Sequence, residues 1–309
     1  MLTRPRPLKV RSLAPLLLSV TLGLALTGCG SEDVTPPAAT ESDGVCATTD
    51  GAEDLLAEVC DRGELVVSTD PAYPPQSSLN EESGEYQGFD IDVATEIAER
   101  LGVEIAWQTP AWEVLTAGSW NGRWDMSVGS MTPTNDRQAV LHFTAPYYYT
   151  PAVVVVNADN TTVSDLSTDL DGADVGVCSG CTYEQFLDGS LEIDGFTFDF
   201  IIDDAKITGY DTDTTALQDL AVGDGSRLDA VITSLTTAQG DIDAGAPSKI
   251  VGEPVFYEPL SVAFDKSSEL DPVSLKDAVD AIVAEMHSDG TLTELSKKWY
   301  NGADLTVEQ

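Results

Sequence analysis

Positive charge is what this chain has least of. Fifteen lysines and arginines stand against 53 aspartates and glutamates, a formal net charge of −38 at pH 7 over 309 residues. Nucleic acid and anionic membrane surfaces are recognised through Lys and Arg, so that deficit excludes both as partners. Histidine is scarce too. His142 and His287 are the whole supply, and neither lies near a cysteine in sequence, which removes the usual zinc constellations. No Ser-His-Asp order or nucleophile elbow is visible, and both histidines read as structural. After Leu26 no apolar run approaches the roughly 20 residues that a membrane span requires. The paired acids Asp203/Asp204, Asp211/Asp213 and Asp219/Asp224 lack the spacing and central glycine of a calcium loop, and read as solvated acidic faces. What is present is globular material, 42% hydrophobic, with length for about two domains.

The N-terminus stands apart from the fold. Arg4, Arg6, Lys9 and Arg11 precede an apolar run from Leu13 to Leu26. A basic head followed by an apolar stretch too short to span a bilayer is the pattern of a secretory signal. The run ends in Leu26-Thr-Gly-Cys29, which looks like a bacterial lipobox, so Cys29 is expected to be the lipidated first residue after cleavage. Residues 1–28 are then the leader, and 29–48, rich in Ser, Thr, Pro and acids, a flexible tether. The body is expected outside the cytoplasm, held to the cell membrane through lipid on Cys29. That compartment permits disulfides. Four further cysteines allow three pairings. The expected ones are Cys46–Cys60, stapling the first helix to the segment before it, and a short Cys178–Cys181 bridge.

Downstream the pattern alternates strand and helix. Residues 50–60 read as a short helix, with Leu55, Leu56 and Val59 on one face and Gly63 stopping it. Residues 65–69 are an apolar strand, and the proline-rich 70–75 reads as a loop. Phe89, Val93, Ile97 and Leu101 recur at four-residue steps before Gly102, a helix with its C-terminal signal. Strands are expected at 103–107 and 124–129. A second unit of the same kind begins after the valines 153–156, with strands at 174–178 and 228–233 and helices at 183–187 and 214–222. Asp271-Pro272 opens a further helix, and Thr291-Leu-Thr-Glu294 is a capping box opening the last. Such alternation implies an α/β fold of two lobes, each a mostly parallel sheet flanked by helices.

The stretch from Asp125 to Arg137 says most about function. It sets Arg137 just past the small hydroxyl residues Ser130, Thr132 and Thr134 at the end of an apolar strand. A guanidinium is a rigid fork of donors that matches a carboxylate with two parallel hydrogen bonds. Six further segments belong with it: Leu65 to Pro75, Gly88 to Ala94, Phe143 to Tyr148, Val175 to Tyr183, Arg227 to Val231, and Asp289-Gly-Thr-Leu292 with Lys298-Trp-Tyr300. Together, behind a lipobox, they resemble the extracellular solute-binding proteins of ABC importers, in the family that binds polar amino acids (family 3). Each motif is weak alone; their order and spacing make the resemblance specific.

That resemblance implies a type II periplasmic-binding-protein-like fold. Lobe one would be residues 49–152 plus 259–309 and lobe two 153–258, joined by two hinge crossings near 149–156 and 255–263. It implies a monomer that captures a small carboxylate-bearing solute, a polar amino acid or derivative, by hinge closure and delivers it to permease subunits, without cofactor or metal. Dehydratases of cyclic amino-acid precursors built on the same scaffold, and ligand sensors for a membrane partner, are the alternatives it leaves open. Residue by residue, Arg137 falls on the family's carboxylate-binding arginine and Ser130 and Thr132 on neighbouring ligand contacts. Thr182 falls on a contact at a helix N-terminus, Tyr73 and Trp112 on aromatic packing positions, and Asp70 on a polar contact. Relatives are expected to place an aspartate for the ligand ammonium just after the strand at 228–233. This chain has Ser234 there, which makes Asp70, Asp211 and Glu258 the candidate replacements. Cys178-Ser-Gly-Cys181 is a second departure. Cys-x-x-Cys before a helix is also the shape of a thiol-redox site, but its flanks match the binding loop and favour a bridge that stiffens it.

Overall fold

The computed structural model describes residues 44–48 and 53–308. The leader, Cys29 and most of the expected tether lie outside the described residues. The end of that tether is folded: Val45–Thr48 forms a 3-10 turn. Cys46 is bridged to Cys60, with the two Cα atoms 5.3 Å apart, so the turn is stapled to helix α1 (Leu55–Arg62). Asp54 caps α1, its carboxylate accepting from the Ala57 N–H at 3.0 Å.

After α1 come β1 (Glu64–Ser68) and a small sheet of β2 (Ala72–Tyr73), β3 (Ser77–Leu79) and β4 (Tyr86–Gln87). Then follow α2 (Phe89–Leu101), β5 (Glu104–Gln108), α3 (Trp112–Thr116), β6 (Met126–Met131), α4 (Asn135–Val140) and β7 (Leu141–Phe143). The long β8 (Tyr148–Asn157) leads into β9 (Asp174–Cys178), α5 (Thr182–Leu187), β10 (Lys206–Tyr210), α6 (Asp213–Leu220), β11 (Ala230–Ser234) and α7 (Leu235–Asp243). The longer β12 (Ser248–Asp265) returns, followed by α8 (Val273–Asp289) and α9 (Thr291–Trp299).

The main sheet runs β10-β9-β11-β8-β12-β6-β1-β5, with β7 beside β12. At one end β5, β1 and β6 are parallel; at the other β10, β9 and β11 are parallel. Through the middle β8 and β12 run antiparallel, paired from Asn157 opposite Ser248 to Tyr148 opposite Leu260. These two strands join the parallel wings and contain both stretches expected to be crossings. Their sequence follows from their burial. Val154 and Val156 face a core with Val175, Val177 and Phe186, while Val153 and Val155 face another with Leu217, Leu220 and Val231. A strand covered on both faces has no polar side, hence the unbroken valines.

The first wing's core is equally legible. Phe89, Val93, Ile97 and Leu101 are fully buried on one face of α2, against Leu65 and Val67 of β1 and Ile282 and Met286 of α8. Gly88 precedes α2 with φ 142, and a Cβ there would overlap the Gln76 carbonyl, so glycine lets the β2–β3 segment pack directly on the helix start.

Four local expectations need correcting. Ala72 and Tyr73, inside the stretch read as a loop, pair with Ser78 and Ser77; the prolines flank this short ladder and remove no donor from it. β6 starts two residues late because the Asp125 side chain accepts from the Val66 N–H at 2.8 Å. α6 starts at Asp213, with the Thr212 side chain accepting from the Thr215 N–H. At α9 no capping box forms. Asp289 accepts from the Thr291 N–H at 2.9 Å and its hydroxyl at 2.7 Å, so Thr291 is a donor inside the helix. Among the described residues no helix is long and apolar enough to cross a membrane.

Candidate functional site

A cavity of about 460 Å³ opens between the two wings. From the first wing it is lined by Asp70 of the loop after β1, Tyr73 of β2, Trp112 at the start of α3, Ser130 of β6, Thr132 just after it, and Arg137 of α4. From the second come the Cys178 and Cys181 loop, Thr182 and Tyr183 opening α5, and Asp213 opening α6; Glu258 of β12 closes the floor. The structure thus gathers Asp70, Tyr73, Trp112, Ser130, Thr132, Arg137 and Thr182 around one space. His142 lies elsewhere, in a second cavity, and His287 Nε2 is 2.9 Å from the Pro146 carbonyl.

Arg137 is held from both sides. α4 is capped by Thr134, whose Oγ1 accepts from the Arg137 N–H. The guanidinium is 5% exposed; Nη1 donates to the Thr132 carbonyl at 3.0 Å and Nη2 to the Gly180 carbonyl at 2.9 Å. It sits over the Trp112 ring, 5.0 Å from the centroid, and Trp112 Nε1 donates to the same Gly180 carbonyl. Burial lowers its pKa to about 10, with Glu258 acting the other way, so it is charged at neutral pH. No carboxylate lies in ion-pair contact with it among the described residues. A buried guanidinium with only carbonyl partners and N–H donors to spare is a receptor for an anion.

To Asp70, Asp211 and Glu258, the expected replacements for the missing acid, the structure adds Asp213. Asp213 lines the cavity and is 5% exposed, and its Oδ1 has no hydrogen-bond partner among the described residues. Burial raises its pKa to about 7, with the nearby charges of Glu258 and Asp70 adding to the rise and the Thr233 hydroxyl and the Asp213 N–H opposing it. Reading Asp211/Asp213 as a solvated face missed the helix start at Asp213. Ala216, Leu217 and Leu220 are all buried, and residues three, four and seven places earlier share their face. Asp70 is also raised by burial, with Oδ1 accepting from the Ala72 N–H at 2.7 Å.

Asp211, two residues before Asp213, lines the cavity too. Ser234, Ser130 and Glu258 are committed to protein partners. Ser234 does not line the cavity. It is fully buried, caps α7 by accepting from the Thr237 N–H, and meets Tyr73 OH and Gln76 Nε2 of the first wing, each at 3.2 Å. Ser130 has φ 51 and donates its hydroxyl to Asp90 Oδ2 at 2.8 Å, while its N–H donates to Tyr147 OH. Asp90, raised by burial to about 7, is a partner that sequence reading did not find. Glu258 was a candidate for an ammonium, but three hydroxyls already occupy it. Thr132 and Thr182 Oγ1 donate to Oε2, each at 2.7 Å, and Tyr183 OH donates to Oε1 at 2.9 Å. Cys178 and Cys181 are bridged, with Cα atoms 5.5 Å apart, clamping the turn that presents the Gly180 carbonyl.

A two-winged α/β body with charged groups of both signs facing one inter-wing cavity is the form of a solute-binding protein. The chain belongs to the bacterial extracellular solute-binding proteins, family 3, whose model matches residues 65–302. It is 31% identical over 255 residues to the L-cystine-binding protein TcyJ of Escherichia coli (strain K12), covering 82% of this chain and 88% of that protein. Against the L-arginine-binding protein of Pseudomonas aeruginosa the identity is 27% over 243 residues, 76% of this chain and 87% of the relative. Among solved structures, an ancestral arginine-binding protein bound to arginine is 31% identical with a TM-score of 0.66, covering 77% of this chain and 99% of that one. The ancestral amino acid-binding protein AncCDT-1, a precursor of cyclohexadienyl dehydratase, gives 28% and a TM-score of 0.68, over 79% and 99%. The curated relatives are binding proteins, and this chain is a solute-binding protein and not an enzyme.

Proposed function

We propose that this protein is the substrate-binding component of an amino-acid ABC importer, tethered by lipid on Cys29, which captures an α-amino acid between lobes 49–152 plus 259–309 and 153–258 and passes it to permease subunits. The carboxylate sits on Arg137 and the ammonium on Asp213, with Trp112 and Tyr73 packing against the rest. One observation carries this reading: a buried guanidinium with no carboxylate in ion-pair contact and a buried carboxyl group with an unpartnered oxygen face the same cavity from opposite wings. Each is costly alone, and one zwitterion satisfies both. Because the pair stands on different wings, the ligand favours the closed arrangement by touching both.

With Asp70, Glu113, Asp211, Asp213 and Glu258 lining it against one guanidinium, the cavity has an excess of carboxyl groups, which disfavours acidic amino acids. The relatives that bind cystine and arginine are consistent with this. A thermal-shift panel of L-arginine, L-lysine, L-histidine, L-cystine, L-glutamine and L-glutamate tests it, because binding raises stability by mass action. Shifts are expected for members of the panel other than glutamate, and Arg137→Ala should abolish them. A shift by glutamate alone, or micromolar binding retained by Arg137→Ala, would refute the assignment.

A further inference from the structure

Family resemblance gives Thr132 and Thr182 to the ligand, but their hydroxyls point elsewhere. We propose that Glu258 is a positioning residue of the cavity's anion end: Thr132 and Thr182 act on the ligand through this carboxylate, not by donating their hydroxyls to it. The inference rests on the amino-acid reading above and deepens it. A threonine hydroxyl has one proton to give. Both protons go to Glu258 Oε2 at 2.7 Å, and Tyr183 OH goes to Oε1 at 2.9 Å. What the two hydroxyls then present to an incoming carboxylate is lone pairs, which repel it.

The placement of the three donors gives Glu258 a different task. Thr132 directly follows β6 in the first wing; Thr182 and Tyr183 open α5 in the second. Glu258, 3% exposed, stands on β12, which runs between the wings. One carboxylate therefore collects donors from both sides of the cleft, and charge-assisted hydrogen bonds are the strong kind. Separating the wings breaks at least one of them. The charged and phenolic groups around Glu258 are Arg137, Asp213, Tyr73, Tyr148 and Tyr183. Among these Arg137 is the only cation. With both oxygens occupied, Glu258 holds the walls in register around Arg137 while Asp213 stays open to the ligand.

A double-mutant cycle in the full-length protein decides it, reading Kd by calorimetry with L-cystine, L-arginine and L-glutamine as probes. Thr132→Val and Glu258→Gln should each weaken binding by about tenfold or more. Combined, they should lose less than the product of the two, because the Thr132 hydroxyl acts through the Glu258 charge, which Glu258→Gln has already removed while leaving only a neutral amide acceptor. Losses that multiply would show the hydroxyl meeting the ligand directly and overturn the inference. So would a Glu258→Gln protein with a lowered ligand-free Tm and a Kd within twofold of wild type, since that is a structural role only. Should Glu258→Gln not fold, Glu258→Asp keeps the charge, shortens the reach and takes its place in the cycle. Wild-type protein that binds none of the three probes overturns the amino-acid reading and this inference with it; wild-type binding with additive losses overturns this inference alone.

Discussion

Replacing Asp213 by asparagine should move stability and affinity in opposite directions. In the ligand-free fold its carboxyl is buried with Oδ1 unpartnered, and burial lifts the pKa from 3.8 to about 7. At 1.36 kcal/mol per unit, a rise of about three units makes the ionised side chain unfavourable by about 4 kcal/mol relative to the unfolded chain. The folded state holds the proton more tightly, so this contribution is favourable below pH 4 and is lost as pH rises through 7. Asp213→Asn keeps the shape without the charge. Urea unfolding of the ligand-free variant should therefore show a gain over wild type of up to about 4 kcal/mol at pH 8, shrinking toward zero near pH 4. Calorimetry at pH 8 should show the reverse for an amino-acid ligand, because removing one member of a buried charge pair costs about 2–5 kcal/mol, roughly 30-fold to several thousandfold in Kd. Wild-type affinity should also fall as pH drops below 7 and Asp213 takes up its proton, while the variant's stays flat. A variant that binds within threefold of wild type, or whose stability change is the same at both pH values, would refute the reasoning.

Two further substitutions separate fold from site. Ile97→Ala removes a fully buried side chain from the α2 face, so unfolding experiments should lose about 2–5 kcal/mol, with Kd unchanged because the cavity is lined by other elements. Replacing Cys46 and Cys60 together by serine opens a loop with a sequence separation of 14. Stability should fall by about 3 kcal/mol, again with Kd retained, and mass mapping without reductant should recover the Cys46–Cys60 peptide pair only from wild type.

Where sequence reading succeeded, the signal was periodic or local. The four-residue repeat of α2 and the valines of β8 are burial patterns, and burial is what the hydrophobic effect writes into a chain. The cluster around Arg137 was legible because one short segment carries strand, hydroxyls and arginine together. What escaped was long-range pairing. Asp213 lies far along the chain from Arg137, and its depth depends on a helix starting one residue earlier than its apolar pattern suggested. Gln76 looks like an ordinary loop residue, yet it is fully buried and donates Nε2 to Thr236 Oγ1 at 2.6 Å across the wings. Ser234 was assigned by its place after a strand, and packing made it a helix cap instead. Side chains that serve the opposite wing leave no trace in their own segment.

That distinction bears on how capture is coupled to closure on the proposed reading. The wings already meet through direct contacts: Gln76 with Ser234 and Thr236, Thr214 with the Ala72 carbonyl at 2.8 Å, and Arg137 Nη2 with the Gly180 carbonyl at 2.9 Å. Across the cavity, though, stand Arg137, with no carboxylate in ion-pair contact, and Asp213, with Oδ1 unpartnered, and burying these charges opposes closure until a ligand neutralises both. Between contacts that favour closure and charges that resist it, a ligand's differential affinity for the closed arrangement decides the population. A zwitterion reaching both Arg137 and Asp213 supplies that difference twice over. A simple carboxylate supplies it once and leaves Asp213 buried and unpaired, so it should bind without closing the wings, detectable as a titration signal with no compaction in small-angle scattering. Equal compaction by acetate and by an amino acid would mean that Asp213 does not take part in closure.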